Sequence, residues 1–171
     1  VVVFEGVDAD RIDRDVTPVE ELPYEVVRCS DDDYLTVDLD TDGGPTTVDV
    51  WTLPAYNRPD GPCADADGSV PHPEGEGCGF RLAVDGTTVF WPGDSDALEG
   101  FAELEVSLLL ANISGSIVMD RHAAADLAER MDPDLVVPIH YDTFELLAAD
   151  DEAFAADVAS RSIPVALDRP E

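Results

Sequence analysis

The stretch Phe90-Trp91-Pro92-Gly93-Asp94-Ser95-Asp96 decides how this chain is organised. It closes an apolar run, Thr87–Trp91, with a glycine and two carboxylates. A second apolar run, Leu135–Ile139, ends in a similar way at His140. Apolar runs of this length are typical of buried strands. Two such strands would bring an Asp and a His to one edge of a sheet, where carboxylate and imidazole groups can bind a metal ion.

The pattern outside these two runs predicts strands first, and alternating strands and helices afterwards. Asp42-Gly43-Gly44 and Asp85-Gly86 are typical of hairpin turns, and residues 54–78 form a long loop rich in Pro, Gly and Asp. Apolar and polar residues do not alternate over residues 106–111, which predicts a strand buried on both faces. Strands are predicted at 1–4, 24–28, 34–39, 46–53, 79–84, 87–91, 106–111, 135–140 and 163–167, and helices at 119–131 and 151–160. This order favours a layered α/β sandwich in one domain over residues 1–171.

The charge balance is extreme, with 39 acidic residues against 9 basic ones and a formal net charge of −30. All the basic residues are Arg, while the hydrophobic fraction of 44% is that of an ordinary folded protein. Acid dispersed over the whole chain predicts adaptation to high salt, because a Debye length of roughly 3 Å at molar salt screens the self-repulsion. Such a surface repels nucleic acid and anionic lipid, so neither is an expected partner.

Cysteine usage and the absence of targeting signals predict a cytoplasmic protein. Cys29, Cys63 and Cys78 are odd in number and form no CxxC pair, so a reducing compartment fits better than a disulfide framework. No apolar run approaches the roughly 20 residues that span a bilayer, and there is no signal-peptide pattern. The opening Val-Val-Val-Phe resembles a strand already under way, which indicates a truncation or a misplaced start.

The strongest candidate ligands are Asp94 and His140. A Gly-Asp pair after a strand is by itself more often a turn, and a lone His at a strand end is more often a structural residue. The rigid approach through Trp91 and Pro92 favours the ligand interpretation, as does the second carboxylate at Asp96. Hard carboxylate oxygens suit a divalent ion, and a neutral imidazole suits zinc, iron or nickel.

Other polar residues near these positions have weaker support. His72 lies between two prolines in the long loop, and the pattern favours an exposed loop residue over one that reaches the site. Asn57 ends a strand, where it could line the site or simply form a turn. Tyr141 follows His140 where a loop begins, and it could line the site or contact the substrate. His122 is expected to lie on a solvated helix face.

Five segments in order resemble one known family. They are Leu-Pro-Ala-Tyr-Asn at 53–57, His-Pro-Glu-Gly-Glu-Gly-Cys-Gly-Phe at 72–80, Phe-Trp-Pro-Gly-Asp-Ser-Asp at 90–96, Met-Asp-Arg-His-Ala-Ala at 119–124 and Val-Pro-Ile-His-Tyr-Asp-Thr-Phe at 137–144. This series is similar to the C-terminal half to two thirds of metallo-β-lactamase-fold hydrolases. The ascorbate-phosphate-lactonase-like branch is the most similar, and the acidic composition resembles that of a halophilic archaeal member.

The resemblance implies an αββα sandwich that is N-terminally incomplete here, with a metal site at the sheet edge. It implies that Asp94 and His140 are metal ligands, and that metal-bound water attacks an ester, lactone or phosphoester bond of a small-molecule substrate. Zinc is the expected metal of a complete site, with iron, manganese or nickel as alternatives. The family's H-x-H-x-D-H signature is absent from the 171 residues.

The absent signature leaves two functional interpretations open. The first is a metal-dependent hydrolase represented without its N-terminal strands. The second is an inactive remnant that serves as a binding or assembly module. Two ligands do not make the three-ligand geometry of a catalytic ion, so this chain alone is expected to be inactive. An incomplete sandwich also predicts self-association, or poor solubility at low salt, through an uncovered sheet face or edge.

Overall fold

The computed structural model describes residues 1–8 and 16–167. A six-stranded sheet with the strand order β3-β4-β5-β6-β7-β8 forms its centre, and β1 and β2 form a small parallel sheet. The strands are β1 (Val2–Phe4), β2 (Val27–Cys29), β3 (Tyr34–Thr41), β4 (Gly44–Pro54), β5 (Cys78–Val84), β6 (Thr87–Trp91), β7 (Leu108–Asn112) and β8 (Leu135–Ile139). The helices are α1 (Arg121–Met131) and α2 (Asp151–Ser160), so the α/β class predicted from the sequence is confirmed.

The sheet changes from antiparallel to parallel at β6. Strands β3 to β6 pair antiparallel, and the β5–β6 turn uses Asp85 and Gly86 at positive φ of 49° and 79°. Strands β6, β7 and β8 pair parallel. Because parallel neighbours end at the same edge, the segments after β6 and β8 emerge at one edge of the sheet, on either side of β7. The sheet thus brings residues 93–96 close to residue 140.

The core lies on one face of the sheet, beneath the two helices. Phe90, Leu109 and Val136 follow one another across β6, β7 and β8, and none of the three is accessible to solvent. Leu127 of α1 and Phe154 of α2 belong to the same buried cluster. Arg161 joins the two helices from outside, through contacts with Asp126 and Glu129 of α1 and Asp157 of α2.

The opposite face of the sheet is only partly covered. In β7 the side chains of Leu109 and Ala111 are buried, whereas Leu108 and Leu110 are partly exposed. Strand β8 repeats this alternation. The prediction that residues 106–111 are buried on both faces is therefore wrong for the described part of the chain. The reason is that both helices pack on the same side of the sheet, against Leu109 and Val136.

The two edges of the sheet differ from the predicted arrangement in one respect. Residues 163–167 do not form a full strand, since only Val165 bridges Val136. Backbone bonds from the amide of Val136 to the carbonyl of Pro164 (2.9 Å) and from Ala166 to Val136 (3.0 Å) still cover β8. Strand β3 forms the other edge and exposes the carboxylates of Asp38 and Asp40. Among the described helices, none has the length and hydropathy needed to cross a membrane.

Helix α1 begins after the N-cap residue Asp120. The carboxylate of Asp120 accepts hydrogen bonds from the amides of His122 (3.0 Å) and Ala123 (2.8 Å). We expect Asp120→Ala to lower the free energy of unfolding by about 1 kcal/mol, because these amides lose their partner. Asp120→Asn keeps an acceptor and should cost clearly less. Urea denaturation of both variants tests this, and equal losses would contradict the capping role.

Candidate metal centre

Asp94 occupies the tip of a tight turn at the end of β6. Gly93 precedes it at a φ of +69°, and a Cβ atom there would lie 2.6 Å from the carbonyl oxygen of Cys78. Only glycine combines this left-handed conformation with so close an approach of two backbones. The side chain of Asp94 remains 35% exposed. The turn thus presents a carboxylate at the surface while its own backbone is held within the structure.

His140 reaches the same place from β8. Its Nε2 atom lies 3.3 Å from Oδ1 of Asp94. Its backbone has a φ of +56°, a conformation that residues other than glycine adopt at a cost. Its Nδ1 atom is buried and has no hydrogen-bond partner among the described residues. Strain together with an unsatisfied ring nitrogen is typical of functional positions rather than of ordinary strand ends.

His72 completes the group from the long loop. Its Nε2 atom lies 3.6 Å from Oδ2 of Asp94, and its side chain is about one third exposed. The sequence favoured an exposed loop residue, but the fold brings His72 against the carboxylate instead. Its Nε2 atom makes no hydrogen bond within the described part of the chain. Asp94 therefore lies between two imidazoles, one contacting each of its oxygens.

Asn57 holds His72 in place rather than facing the centre itself. It is 1% exposed, and its Oδ1 accepts a hydrogen bond from the His72 amide at 3.1 Å. The backbone N–H of Asn57 donates a second hydrogen bond, to the backbone carbonyl of His72 at 2.8 Å. Its Nδ2 group donates to the carbonyl of Ile117 at 3.1 Å. Asn57 thus joins the long loop to the segment before α1.

Asp96 and Tyr141 form hydrogen bonds with residues other than Asp94. Asp96 is 2% exposed, and its two oxygens accept from Nδ2 of Asn57 (3.3 Å) and from the amide of Arg58 (2.9 Å). Its carboxylate therefore stabilises the start of the long loop. The Tyr141 hydroxyl lies 3.4 Å from Oδ2 of Asp151, at the beginning of α2. The two carboxylates after β6 thus have different surroundings, although the sequence places them at one strand end.

Asn112 is a residue near the site that the sequence interpretation missed. It ends β7, is fully buried, and donates through Nδ2 to the carbonyl of Gly93 at 2.5 Å. This bond fixes the backbone immediately before Asp94. The signal was available, because a polar residue ends an apolar strand that lies between β6 and β8. However, the position of Asn112 beside Asp94 can be recognised only when the strand order is known.

The cysteines near the centre are poor ligands in the free chain. Burial, and to a smaller degree the neighbouring Cys29, raise the pKa of the Cys78 thiol to about 12. Burial and the nearby Asp96 raise the pKa of Cys63, also to about 12. In the free chain both thiols are therefore protonated at neutral pH. The groups that contact Asp94 are the imidazoles of His72 and His140.

The middle of the chain matches a family model described as a beta-lactamase superfamily domain, over residues 56–140. The matched segment begins next to Asn57 and ends at His140, and it contains His72 and Asp94. Residues 56–140 are therefore similar to a beta-lactamase superfamily domain. Asp94, His140, His72, Asn57 and Asn112 all lie within the matched segment.

Curated relatives of the chain carry names that mention metal. A UPF0173 metal-dependent hydrolase of Pyrococcus furiosus is 33% identical over 132 residues, which cover 72% of this chain and 55% of that protein. Its counterpart in Thermococcus kodakarensis is 32% identical over 143 residues, which cover 76% and 59%. The chain thus spans somewhat more than half the length of these curated relatives.

Solved structures confirm the metallo-β-lactamase fold around the domain. The metallo hydrolase Igni18 of Ignicoccus hospitalis superposes with a TM-score of 0.63 at 21% identity, covering 86% of this chain and 59% of that one. An isothiocyanate hydrolase from Delia radicum gut bacteria superposes with a TM-score of 0.61 at 11% identity, covering 85% and 57%. At these identities the likeness establishes the fold alone.

The donor types around Asp94 suit a metal ion, but their number and arrangement do not complete a site. Two imidazoles and one carboxylate are donors that zinc, iron and nickel accept. The unsatisfied Nε2 of His72 and Nδ1 of His140 show unused donor capacity. Within residues 1–8 and 16–167, however, no group of three or more His, Cys, Asp or Glu is arranged to hold an ion. Asp94 and His140 therefore fit as part of a ligand set.

Proposed function

We propose that this chain contributes the Asp94 and His140 part of the metal site of a metal-dependent hydrolase. The observation that supports this most is the position of Asp94 between two imidazoles, in a domain whose relatives are named metal-dependent hydrolases. The left-handed backbone of His140 supports the proposal further. Such a conformation costs free energy, and strained residues of this kind cluster at functional sites. His72 is a third candidate donor.

The proposed reaction is hydrolysis of an ester, lactone or phosphoester bond in a small molecule. A bound divalent ion, which we propose to be zinc with iron, manganese or nickel as alternatives, would supply Lewis acidity and an activated water at neutral pH. The chain's own residues orient the donors. Asn57 fixes the backbone of His72, and Asn112 fixes the carbonyl of Gly93 just before Asp94.

A second function also has an observation in its favour. The described residues hold no arranged group of three donors, which supports an inactive module that binds or assembles with other molecules. In both cases we propose a cytoplasmic protein of a halophile, because a net charge of −30 without Lys suits high salt. The same charge supports the exclusion of nucleic acid and membranes as partners.

Metal binding by the purified chain in molar KCl separates the two functions. We expect zinc binding, measured by calorimetry and metal analysis, to weaken at least roughly tenfold in His140→Ala, since loss of even an outer partner of a ligand costs that much. Asp94→Ala should weaken it as strongly.

His122→Ala is the matched control for this measurement. His122 lies on α1 with its side chain 63% exposed, and its Nδ1 is 3.9 Å from a carboxylate oxygen of Asp157. Its removal should leave zinc binding unchanged. Equal weakening in His122→Ala would contradict the proposed site, and no zinc uptake by the unsubstituted chain would favour the inactive module.

A further inference from the structure

Buried polar atoms without a hydrogen bond are concentrated beside the candidate metal centre. The part of the chain that the structure describes has five such side-chain atoms, and four of them lie within residues 112–116 and at residue 140. They are Oδ1 of Asn112, Oγ of Ser114, Oγ of Ser116 and Nδ1 of His140. Native proteins leave few buried polar groups unpaired, and each such group calls for a bound water, an ion or a functional role. The ends of β7 and β8 are therefore where partners are most needed.

Asn112 lies directly beside the segment that carries His140. It is the last residue of β7, and it pairs in register with Ile139, the last residue of β8. Neighbouring strands are about 4.8 Å apart, and His140 follows this pair by one residue. Strand β7 also lies between β6 and β8, and Nε2 of His140 is 3.3 Å from Oδ1 of Asp94 beyond β6. The two side chains thus meet over the end of β7, where Asn112 lies.

The unpaired atoms of Asn112 and His140 are chemically complementary. Nδ2 of Asn112 donates to the Gly93 carbonyl, which leaves Oδ1 as an acceptor only. Nε2 of His140 faces Asp94, so Nδ1 is the ring nitrogen that can carry a proton toward Asn112. Asn112 is inaccessible to solvent, and the Nδ1 atom of His140 is buried. Each atom therefore needs a partner within the structure, since a buried polar group left unpaired is costly.

We propose that Asn112 is a positioning residue for His140, and that its Oδ1 atom receives the Nδ1 proton of the imidazole through one buried water. The two atoms make no direct hydrogen bond, and buried waters join polar groups in this way, with two to four partners each. The water oxygen accepts from Nδ1–H, and one of its hydrogens is donated to Oδ1 of Asn112.

This hydrogen bond decides which nitrogen of His140 is free to bind an ion. The partner of one ring nitrogen sets the tautomer, so a proton held on Nδ1 leaves the lone pair of Nε2 directed at Asp94. Through Nδ2 the same Asn112 side chain holds the carbonyl just before Asp94, and it therefore orients both candidate ligands. The consequence for metal binding rests on the proposed function, whereas the tautomer of His140 does not.

Nitrogen-15 NMR of the metal-free chain tests the proposal, in molar KCl and at a pH where the imidazole is neutral. We expect the Nδ1–H tautomer for His140. Asn112→Leu removes the acceptor with a side chain of similar size. It should shift the ratio of the Nδ1–H form to the Nε2–H form by roughly 5- to 30-fold toward Nε2–H, because the buried N–H loses its partner.

Two further variants separate the acceptor from a general effect on the fold. Asn112→Asp keeps an oxygen at this place and loses the donor to Gly93, so it should retain the Nδ1–H tautomer although its stability falls. Ser107→Ala is the matched control, because it removes a polar side chain just before the opposite end of β7, where the hydroxyl meets Thr88. It should leave the tautomer unchanged.

Zinc titration gives a second readout. Asn112→Leu should weaken zinc binding roughly 10- to 100-fold, as expected for loss of a group that orients a His ligand, while Ser107→Ala should not weaken it. No zinc uptake by the unsubstituted chain would contradict the proposed function, and the NMR result would still decide the role of Asn112.

Three results would overturn the proposal. The first is an Nε2–H tautomer in the unsubstituted chain, and the second is an unchanged tautomer in Asn112→Leu. The third is loss of the Nδ1–H form in Asn112→Asp as well, which would show that the contact with Gly93 holds the ring. Should Asn112→Leu fail to fold, exchange of the Nδ1 proton with solvent in the unsubstituted chain decides. We expect a slowly exchanging proton, and rapid exchange would exclude a buried hydrogen bond.

Discussion

Replacing Gly93 with alanine is expected to lower the free energy of unfolding by about 2–5 kcal/mol. The left-handed backbone costs an alanine about 1–2 kcal/mol. The added Cβ would also lie 2.6 Å from the Cys78 carbonyl oxygen and 3.0 Å from the Cβ of Ala55. Relief of such an overlap in a packed region typically costs a further 1–3 kcal/mol. Urea denaturation in molar KCl measures the sum.

Two other glycines separate the backbone cost from the overlap. Gly86 has a φ of +79° with no atom within 4 Å of a built Cβ, so Gly86→Ala should lose only the backbone part, about 1–2 kcal/mol. Gly77 has neither feature, since its closest neighbour lies 3.7 Å away, and Gly77→Ala should change stability by less than about 0.5 kcal/mol. A loss in Gly93→Ala no larger than that in Gly86→Ala would contradict the close approach.

Gly93→Ala should also weaken zinc binding, because relief of the overlap moves the turn that carries Asp94. The hydrogen bond from Asn112 to the Gly93 carbonyl fixes the same turn and has to shift with it. Metal titration of this variant under conditions where it remains folded would show this. Unchanged affinity would mean that the turn absorbs the methyl group without moving the carboxylate.

Asn57→Ala is expected to destabilise the chain by about 3–5 kcal/mol and to release the long loop. The change removes three side-chain hydrogen bonds, to Asp96, to the Ile117 carbonyl and from the His72 amide. A buried polar group left without a partner costs about 1–3 kcal/mol, and more when it is charged. Asp96 is 2% exposed and would keep the hydrogen bond from the Arg58 amide. Urea denaturation measures the loss.

Limited proteolysis distinguishes release of the loop from a general loss of stability. Under native conditions, Asn57→Ala should be cleaved within residues 58–77 much faster than the unsubstituted chain. Ser69→Ala is the matched control in the same loop, because the Ser69 hydroxyl contacts only the exposed Asp65 and Asp67. It should be cleaved at the original rate. Equal cleavage of both variants would contradict the role of Asn57.

The elements that the sequence predicted well are those fixed by local chemistry. The hairpin turn at Asp85-Gly86, strand β6 and helix α2 have the predicted positions, because turn residues, apolar runs and helical periodicity act within a few residues. The meeting of Asp94 and His140 was predictable for a related reason. Both end apolar runs, and parallel strands end at one edge.

The parts that the sequence could not predict depend on contacts between distant segments. His72 was expected to be exposed, because nothing within its loop reveals that Asn57 holds it beside Asp94. Asp96 was predicted to support or line the site, but nothing in its own segment indicates that its carboxylate accepts hydrogen bonds from Asn57 and Arg58. The end of the chain also differed, since residues 163–167 make one bridge to β8 instead of a strand.

Both edges of the central sheet carry features that hinder the addition of a strand from another chain. At one end, Asp38 and Asp40 place carboxylates along β3, and an incoming strand would have to bury them against its own acidic partner. At the other end, Pro164 and Ala166 already use the backbone groups of Val136 that a template for fibril growth would need. Both edges of the central sheet thus disfavour the addition of another strand. Amyloid-like growth, which needs a free strand edge as its template, is therefore disfavoured for this sheet.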